Sequence, residues 1–270
     1  MAEKENSIVL TNNNTKEIYK LIGFIPDEFI YVPVIIGKDE EGNPFTSVKT
    51  IDTQGNMVFS GTVMLPDDIK ELDKGSAMAI RLSTNKNLVD TVFNSDCECI
   101  EVSKSSIKIN TKNVKLNITM LNLDEDDLVD YPENGKELFS MAVQESDGKY
   151  KEIYDTFALD FDETKEFLSC IGVLSPAKPD DLKFTIATKK DNVVINCEDY
   201  IKNSFEYVLN NVSTKNKYNS TYDINLIKVL QKLTKFKDCS IETLISDAVI
   251  TFTIEEPNIN ITIGVPAFMD

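Results

Sequence analysis

Two groups of carboxylates in this sequence could do chemistry. The run Asp124–Asp127 places four acidic side chains next to one another, and Asp160 and Asp162 are separated by one residue. Carboxylate oxygens are preferred ligands of Mg²⁺ and Ca²⁺, so either group could serve a metal-dependent enzyme. The alternative interpretation is structural: a solvated loop for the first group, and a strand residue followed by a helix N-cap for the second.

Nucleophilic and cofactor chemistry find little support. The sequence has no histidine, which removes Ser-His and Cys-His pairs and the commonest metal ligand. Five cysteines are scattered, and the one close pair, Cys97-x-Cys99, has neither a zinc-finger nor a thioredoxin spacing. Glycine motifs that cradle a phosphate or a dinucleotide are also missing. We therefore expect no catalytic residue, no metal and no cofactor, in a protein that is not an enzyme.

A third group of residues is cationic, in a chain whose formal net charge is −17. The segment Asp223–Lys237 predicts a helix, and Lys228, Lys232 and Lys235 lie within about 60° of one another at 100° per residue. Leucine and valine occupy the opposite side of this helix, which therefore has one buried and one cationic face. Both a solvated amphipathic helix and a phosphate-binding surface fit this pattern.

The same polarity recurs in three earlier segments, where the spacing of apolar residues predicts helices that begin near positions 13, 84 and 162. Lys16 and Lys20 lie opposite the apolar side of the first helix, and Lys165 does so in the third. In the second helix, which Ser83-Thr84 is expected to cap, Lys86 has Asp90 beside it. Recurrence of the pattern favours a functional surface over a merely solvated one.

Short alternating segments around each helix predict strands. Each of four units contains a strand, a helix and two or three further strands, and the acidic stretch 122–154 separates the units into two pairs. The expected fold class is α+β with antiparallel sheets. The expected domains are residues 1–121 and 155–270, with residues 122–154 as an interdomain connector.

Several segments of this pattern are similar in type and order to those of one known family. They are Val48–Leu65, Ala77–Leu88, Phe157–Leu168, Lys183–Cys197 and Asn260–Asp270. Together they resemble the DNA sliding clamps, which include proliferating cell nuclear antigen and the phage replication clamps. The resemblance covers nearly the whole chain as a pattern, although no single motif is diagnostic.

This resemblance implies the DNA clamp fold, a ring with helices lining the central hole and antiparallel sheets outside. A chain with two such domains would close the ring as a homotrimer. The implied function is that of a processivity factor, which encircles duplex DNA without reading its sequence, tethers a DNA polymerase and is opened by a clamp loader. The implied DNA-binding residues are Lys16, Lys20, Lys86, Lys165, Lys228, Lys232 and Lys235.

Two further surfaces follow from the resemblance. A groove for a hydrophobic partner peptide would involve Ile51, Met57, Leu128, Phe236, Ile263, Val265 and Pro266, although plain core positions explain these apolar residues equally well. Neighbouring subunits would pair strand Val114–Leu121 with strand Phe205–Leu209. The implied interface residues are Val114, Leu116, Ile118, Phe205, Tyr207 and Leu209.

Two alternatives stay open. One is a clamp-like partner-binding module that works as a monomer or in a mixed ring, and the other is the carboxylate-dependent metal enzyme. No apolar run approaches the roughly eighteen residues of a membrane span, and the first residues have no signal-peptide character. We therefore expect a cytoplasmic protein, or a nuclear one in a eukaryotic context, with no membrane partner. Abundant Lys, Asn and Ile beside a single arginine, Arg81, indicate an AT-rich genome such as that of a virus or phage.

Overall fold

A computed structural model describes most of the N-terminal half of the chain and the main strands of the C-terminal half. The described residues are 7–26, 29–51, 57–93, 97, 99–110, 115–121, 123, 155–159, 162–163, 166, 183–198, 202–214, 217, 219–222, 240–245, 249–256 and 258–267. The chain divides into two compact units. Unit 1 comprises residues 1–53, 59–131 and 257–260, and unit 2 comprises residues 54–58, 132–256 and 261–270.

Unit 1 contains two helices and eight strands among the described residues. The helices are α1 (Asn12–Phe24) and α2 (Lys86–Phe93). The strands are β1 (Ser7–Thr11), β2 (Tyr31–Lys38), β3 (Pro44–Ile51), β4 (Val58–Met64), β5 (Ala77–Ser83), β6 (Cys99–Ser103), β7 (Ser106–Asn110) and β8 (Lys115–Thr119). The α+β class and the mainly antiparallel pairing agree with the sequence prediction.

The first sheet of unit 1 has the antiparallel order β1-β6-β7-β8. Its register aligns Leu10 with Ile100, Ile100 with Ile109 and Ile109 with Leu116. Successive side chains of a strand point to opposite faces, so these four residues form one row on the core side. The first three are buried and Leu116 is half-buried. The row of buried side chains therefore becomes partly exposed to solvent at β8.

The other strands of unit 1 run in the order β5-β2-β3-β4. Ile80 pairs with Val34 and Val34 with Val48, which gives a fully buried row across three strands. Leu21 of α1 packs over Gly61 of β4, where an added Cβ would lie 2.6 Å from the Leu21 Cδ1 atom. The missing side chain at Gly61 therefore makes room for α1 on the core side of β4.

Both helices begin at side-chain caps. Thr11 Oγ1 accepts a hydrogen bond from the Asn14 backbone N–H at 3.2 Å and so caps α1. At α2, Asn85 Oδ1 accepts from the backbone N–H groups of Asn87 and Leu88. Asn85, not the predicted Ser83-Thr84 pair, is therefore the side-chain cap of α2. The Thr84 hydroxyl instead donates to backbone carbonyls of the loop before β2.

Unit 2 supplies eight further strands. They are β9 (Asp155–Leu159), β10 (Lys183–Lys189), β11 (Asn192–Glu198), β12 (Ser204–Ser213), β13 (Asn219–Tyr222), β14 (Ser240–Ile245), β15 (Val249–Glu256) and β16 (Ile259–Pro266). Strand β13 was not predicted from the sequence. The predicted Lys189–Asp191 turn is confirmed, because Lys190 and Asp191 have positive φ values of 50° and 70° between β10 and β11.

One sheet of unit 2 has the order β12-β11-β10-β13. Its register aligns Tyr222 with Phe184, Phe184 with Cys197 and Cys197 with Phe205. The first three side chains are buried and Phe205 is half-buried. Unit 2 thus repeats the arrangement of unit 1, with a buried row of side chains that ends in a half-buried residue on an edge strand, here β12. The remaining strands run β16-β15-β14-β9.

Two of the four predicted helices fall mostly outside the described residues. Residues 162, 163 and 166 are helical in the region of the third predicted helix, and Asp223–Lys237 is not described. Most of the predicted connector, 122–154, also lies outside the description, as does the acidic run Asp124–Asp127. Within the described part of the chain, no helix is long and apolar enough to span a membrane.

Candidate nucleic-acid interface

The candidate DNA-binding face in unit 1 is formed by the exposed sides of α1 and α2. On α1, Lys16 and Lys20 are exposed, while Ile18, Leu21 and Ile22 are buried. The two lysines are four residues apart and so lie one above the other on a single face. The sequence prediction of a cationic face opposite a buried one is therefore realised at this helix.

An acidic residue of α1 itself compensates part of the positive charge of this face. Lys20 Nζ forms a 2.6 Å salt bridge with Glu17 Oε1, three residues earlier on α1, and its own side chain remains 55% exposed. Exposed pairs of this kind contribute about 0–1 kcal/mol, so a phosphate group can compete for the lysine. Lys16 makes no salt bridge with any described residue. Its ammonium is the less compensated of the two.

On α2, Lys86 is exposed and forms no ion pair with a described residue, while Val89, Val92 and Phe93 are buried. Asp90 lies one turn after Lys86 and is half-buried. Its carboxylate accepts a 2.8 Å hydrogen bond from the Tyr19 hydroxyl of α1. The two helices of the candidate face are thus joined by a polar contact between residues far apart in sequence.

The contact with Asp90 changes the pKa of the Tyr19 phenol. The hydrogen bond to the Asp90 carboxylate, followed by partial burial and by the negative charge of Asp90, raises the pKa of Tyr19 above its ordinary value. A phenolate beside a carboxylate would be repelled, so the neutral donor form is favoured. Tyr19 was not selected as a site residue from the sequence. Its position three residues after Lys16 is the only local signal.

The N-terminal end of α1 is held by a buried amide. Asn14 is fully buried, and it donates to the Asp67 carbonyl and accepts from the Asp67 N–H, each at 3.0 Å. The Asp67 carboxylate also accepts hydrogen bonds from Thr11 at 2.5 Å and from Asn13 at 3.1 Å. This acidic group near the helix N-terminus interacts favourably with the helix dipole. The orientation of the lysine face is therefore tied to the loop that follows β4.

The other predicted DNA-binding residues, Lys165, Lys228, Lys232 and Lys235, lie outside the described residues. The described part of the chain also contains no cluster of three or more Cys, Asp or Glu side chains that could hold a metal ion. Asp162 is exposed in a helical segment, and Asp160 is outside the description.

The predicted subunit-interface residues occupy the last strands of two sheets. Leu116 and Ile118 are half-buried on β8, and Phe205 and Tyr207 are half-buried on β12. Leu209 is buried, and Val114 lies outside the described residues. Each half-buried residue has its Cα partner in the neighbouring strand on the buried side of the sheet. These half-buried apolar side chains therefore continue the buried rows of their sheets but remain partly exposed to solvent.

The predicted groove residues have a different environment. Met57, Ile263 and Val265 are fully buried. Ile51 and Pro266 are the last residues of β3 and β16, and Leu128 and Phe236 lie outside the description. Burial of the first three is what the core interpretation expects. Their participation in a groove stays a prediction.

Comparison with known proteins gives a structural match without a sequence match. No protein-family model and no curated protein sequence matches this chain. A crystal structure of proliferating cellular nuclear antigen from Entamoeba histolytica matches with a TM-score of 0.57, over 97% of this chain and 98% of that one. The chain has the DNA clamp fold. Because the sequences are only 10% identical, the match establishes the fold and leaves the function to be argued from the residues.

Proposed function

We propose that this protein is a DNA sliding clamp, a processivity factor that encircles duplex DNA as a ring of three copies. The observation that carries the proposal is that two rows of buried apolar side chains each end in half-buried apolar residues on an edge strand, β8 in one sheet and β12 in the other. The clamp fold and the exposed lysines of α1 and α2 support it. Tethering of a DNA polymerase and opening by a clamp loader complete the proposed role.

Assembly follows from the two strands at which the core rows lose their cover. Pairing β8 of one copy with β12 of another joins two different edge strands and is therefore a head-to-tail contact. Repeating this contact closes a ring if the rotation between neighbouring copies permits it. Side chains alternate along a strand, so only registers that align Leu116 and Ile118 with Phe205, Tyr207 or Leu209 keep both apolar sets on one face. Such registers join the two core rows across the subunit boundary.

Binding to duplex DNA follows from the distribution of charge. The net charge of −17 repels phosphate from most of the molecule. The exposed lysines of α1 and α2 offer a local exception, which in the proposed ring would extend to Lys165, Lys228, Lys232 and Lys235. Lysine contacts to phosphates carry no sequence information, as a protein that slides along DNA requires.

The mass in solution tests the assembly. Light scattering at micromolar concentration should give about three times the 30.4 kDa mass of one chain. Ile118→Asp should weaken self-association by about tenfold or more, because it places a charge in the proposed interface. Asn117→Asp is the matched control, since Asn117 is the exposed neighbour on the opposite face of β8. A stable monomer, or equal effects of both substitutions, would refute the proposed ring.

Duplex binding is tested by charge reversal. Lys16→Glu and Lys86→Glu should each weaken binding to a 30-base-pair duplex at low salt and reduce the salt dependence of the affinity. Lys108→Glu is the control, since Lys108 is exposed on the face of β7 opposite the buried Ile107 and Ile109. An equal loss of affinity from the control would show that the helices are not the DNA-binding face.

A further inference from the structure

We propose that Tyr19 is a positioning residue for duplex binding, which holds the Asp90 carboxylate between α1 and α2 and so leaves Lys86 available to phosphate. The inference rests on the proposed function, because it concerns the same cationic face. It adds a residue without charge to that face. It also assigns a role to the one acidic side chain that the sequence places beside Lys86.

The geometry of the two helices supports this role. Tyr19 is three residues after Lys16 and adjacent to Lys20, so it borders the exposed face of α1 and is itself half-buried. Asp90 borders the exposed face of α2 in the same way. The 2.8 Å hydrogen bond from the Tyr19 hydroxyl to Asp90 Oδ1 joins the two borders. The acidic group is therefore held toward the contact between the helices.

The same carboxylate has a competing partner on its own helix. Lys86 and Asp90 are four residues apart, a spacing at which oppositely charged side chains on a helix can pair. They are not within salt-bridge distance here, although both are described. Asp90 Oδ1 instead accepts the hydrogen bond from the Tyr19 hydroxyl, which orients the carboxylate toward α1, and Lys86 is exposed to solvent.

Loss of the Tyr19 hydroxyl should let the Asp90 carboxylate pair with Lys86. Without the donor from Tyr19, the half-buried carboxylate lacks its hydrogen bond, and the nearest cation on its own helix is Lys86. An ion pair between Asp90 and Lys86 would compete with phosphate for one positive charge of the face that would meet DNA, and the half-buried carboxylate, having lost its other partner, favours that pair. The slope of log affinity against log salt should fall by about 0.9 for each phosphate that the protein no longer neutralises.

The experiment uses the full chain and a fluorescent 30-base-pair duplex, with affinity measured by anisotropy between low and physiological salt. Tyr19→Phe keeps the aromatic ring and removes only the hydroxyl. We expect it to weaken binding about threefold to tenfold at low salt and to reduce the salt slope by about 0.9. Asp90→Asn should strengthen binding, since the amide can still accept the Tyr19 hydrogen bond without carrying charge.

Two double variants separate a positioning role from a general effect on folding. In the Asp90→Asn background, and separately in the Lys86→Gln background, Tyr19→Phe should change neither the affinity nor the salt slope. A loss of affinity that persists in either background would overturn the inference, because Tyr19 would then act by another route. Thermal melting of each variant shows whether the fold is retained.

The outcomes also distinguish this inference from the proposed function. If the wild-type chain binds the duplex and Tyr19→Phe binds equally well with the same salt slope, the inference is wrong and the clamp proposal is unaffected. If the wild-type chain shows no salt-dependent duplex binding, the proposed DNA-binding face is itself wrong, and the role of Tyr19 falls with it.

Discussion

The position of α1 over β4 depends on the absence of a side chain at Gly61. The substitution Gly61→Ala places a Cβ 2.6 Å from Leu21 Cδ1 and 3.1 Å from two atoms of the Phe59 ring. Leu21 and Phe59 are both fully buried, so neither can swing into solvent to relieve the contact. The helix must shift away from the strand, or the side chains must leave their preferred rotamers.

The expected magnitude combines two effects of opposite sign. Extra volume in a packed core typically costs about 1–3 kcal/mol. Replacing glycine by alanine also reduces the conformational freedom of the unfolded chain, which returns about 0.4–1 kcal/mol. The 2.6 Å approach to a buried side chain places the cost in the upper part of the first range, so we expect Gly61→Ala to lower the free energy of unfolding by about 1–2.5 kcal/mol.

A second glycine provides the matched control. Gly23 lies on the exposed side of α1, and an added Cβ there would meet no atom within 4 Å. Because alanine is the better helix former, Gly23→Ala should raise the free energy of unfolding by about 0.5–1 kcal/mol. The same chemical change thus has opposite effects at a packed and at an open position.

Urea denaturation followed by circular dichroism measures both effects. Combining Gly61→Ala with Leu21→Ala should cost less than the sum of the two single substitutions, since the truncated leucine makes room for the new methyl group. If Gly61→Ala were as stable as the wild type, or if the two effects simply added, α1 would not rest on β4 as described. The outward orientation of Lys16 and Lys20 would then lose its structural basis.

Three further predictions concern single contacts. Asn14→Ala should lower the free energy of unfolding by about 1–3 kcal/mol, because it leaves both backbone groups of Asp67 without their partner. Asn13 is exposed, so Asn13→Ala should change the free energy of unfolding much less. Equal effects of the two substitutions in thermal melting would contradict this prediction. A hydrogen bond from the Lys108 ammonium, together with one from Ser7, lowers the pKa of Glu101. The stabilisation by these contacts is therefore fully present above the unfolded pKa of about 4.3 and is lost as the pH falls through the lower folded pKa. Glu101→Gln should therefore flatten the acid side of the stability profile in urea titrations, and an unchanged acid limb would argue against the pair. The pKa of Tyr19 is raised, chiefly by its hydrogen bond to Asp90, so this contribution is present below about pH 10 and is lost as the pH rises through the folded pKa. The alkaline limb of the wild-type profile should accordingly be steeper than that of Tyr19→Phe, and superimposable limbs would count against the contact.

Local patterns carried much of the fold prediction. Alternation of apolar and polar residues placed strands β1 to β8 within a few residues of their observed bounds, and apolar spacing placed α1. Strand β13 (Asn219–Tyr222) was missed because three of its four residues are polar, so its sequence shows no alternation of apolar and polar types, although the burial of its side chains alternates. Its identity as a strand comes from pairing with β10, a partner more than thirty residues earlier that no local window contains.

The sequence by itself determined which side of α1 would be buried and which would carry Lys16 and Lys20, because a helix face depends only on residues three and four apart. It also determined that this sequence offers no histidine for a Ser-His or Cys-His pair, since composition does not depend on folding. Only the tertiary structure decided that β8 and β12 end their sheets, that Asn85 caps α2, and that Tyr19 meets Asp90. Strand order and contacts between helices join residues distant in the chain, so they are set by packing and register, which local periodicity does not encode.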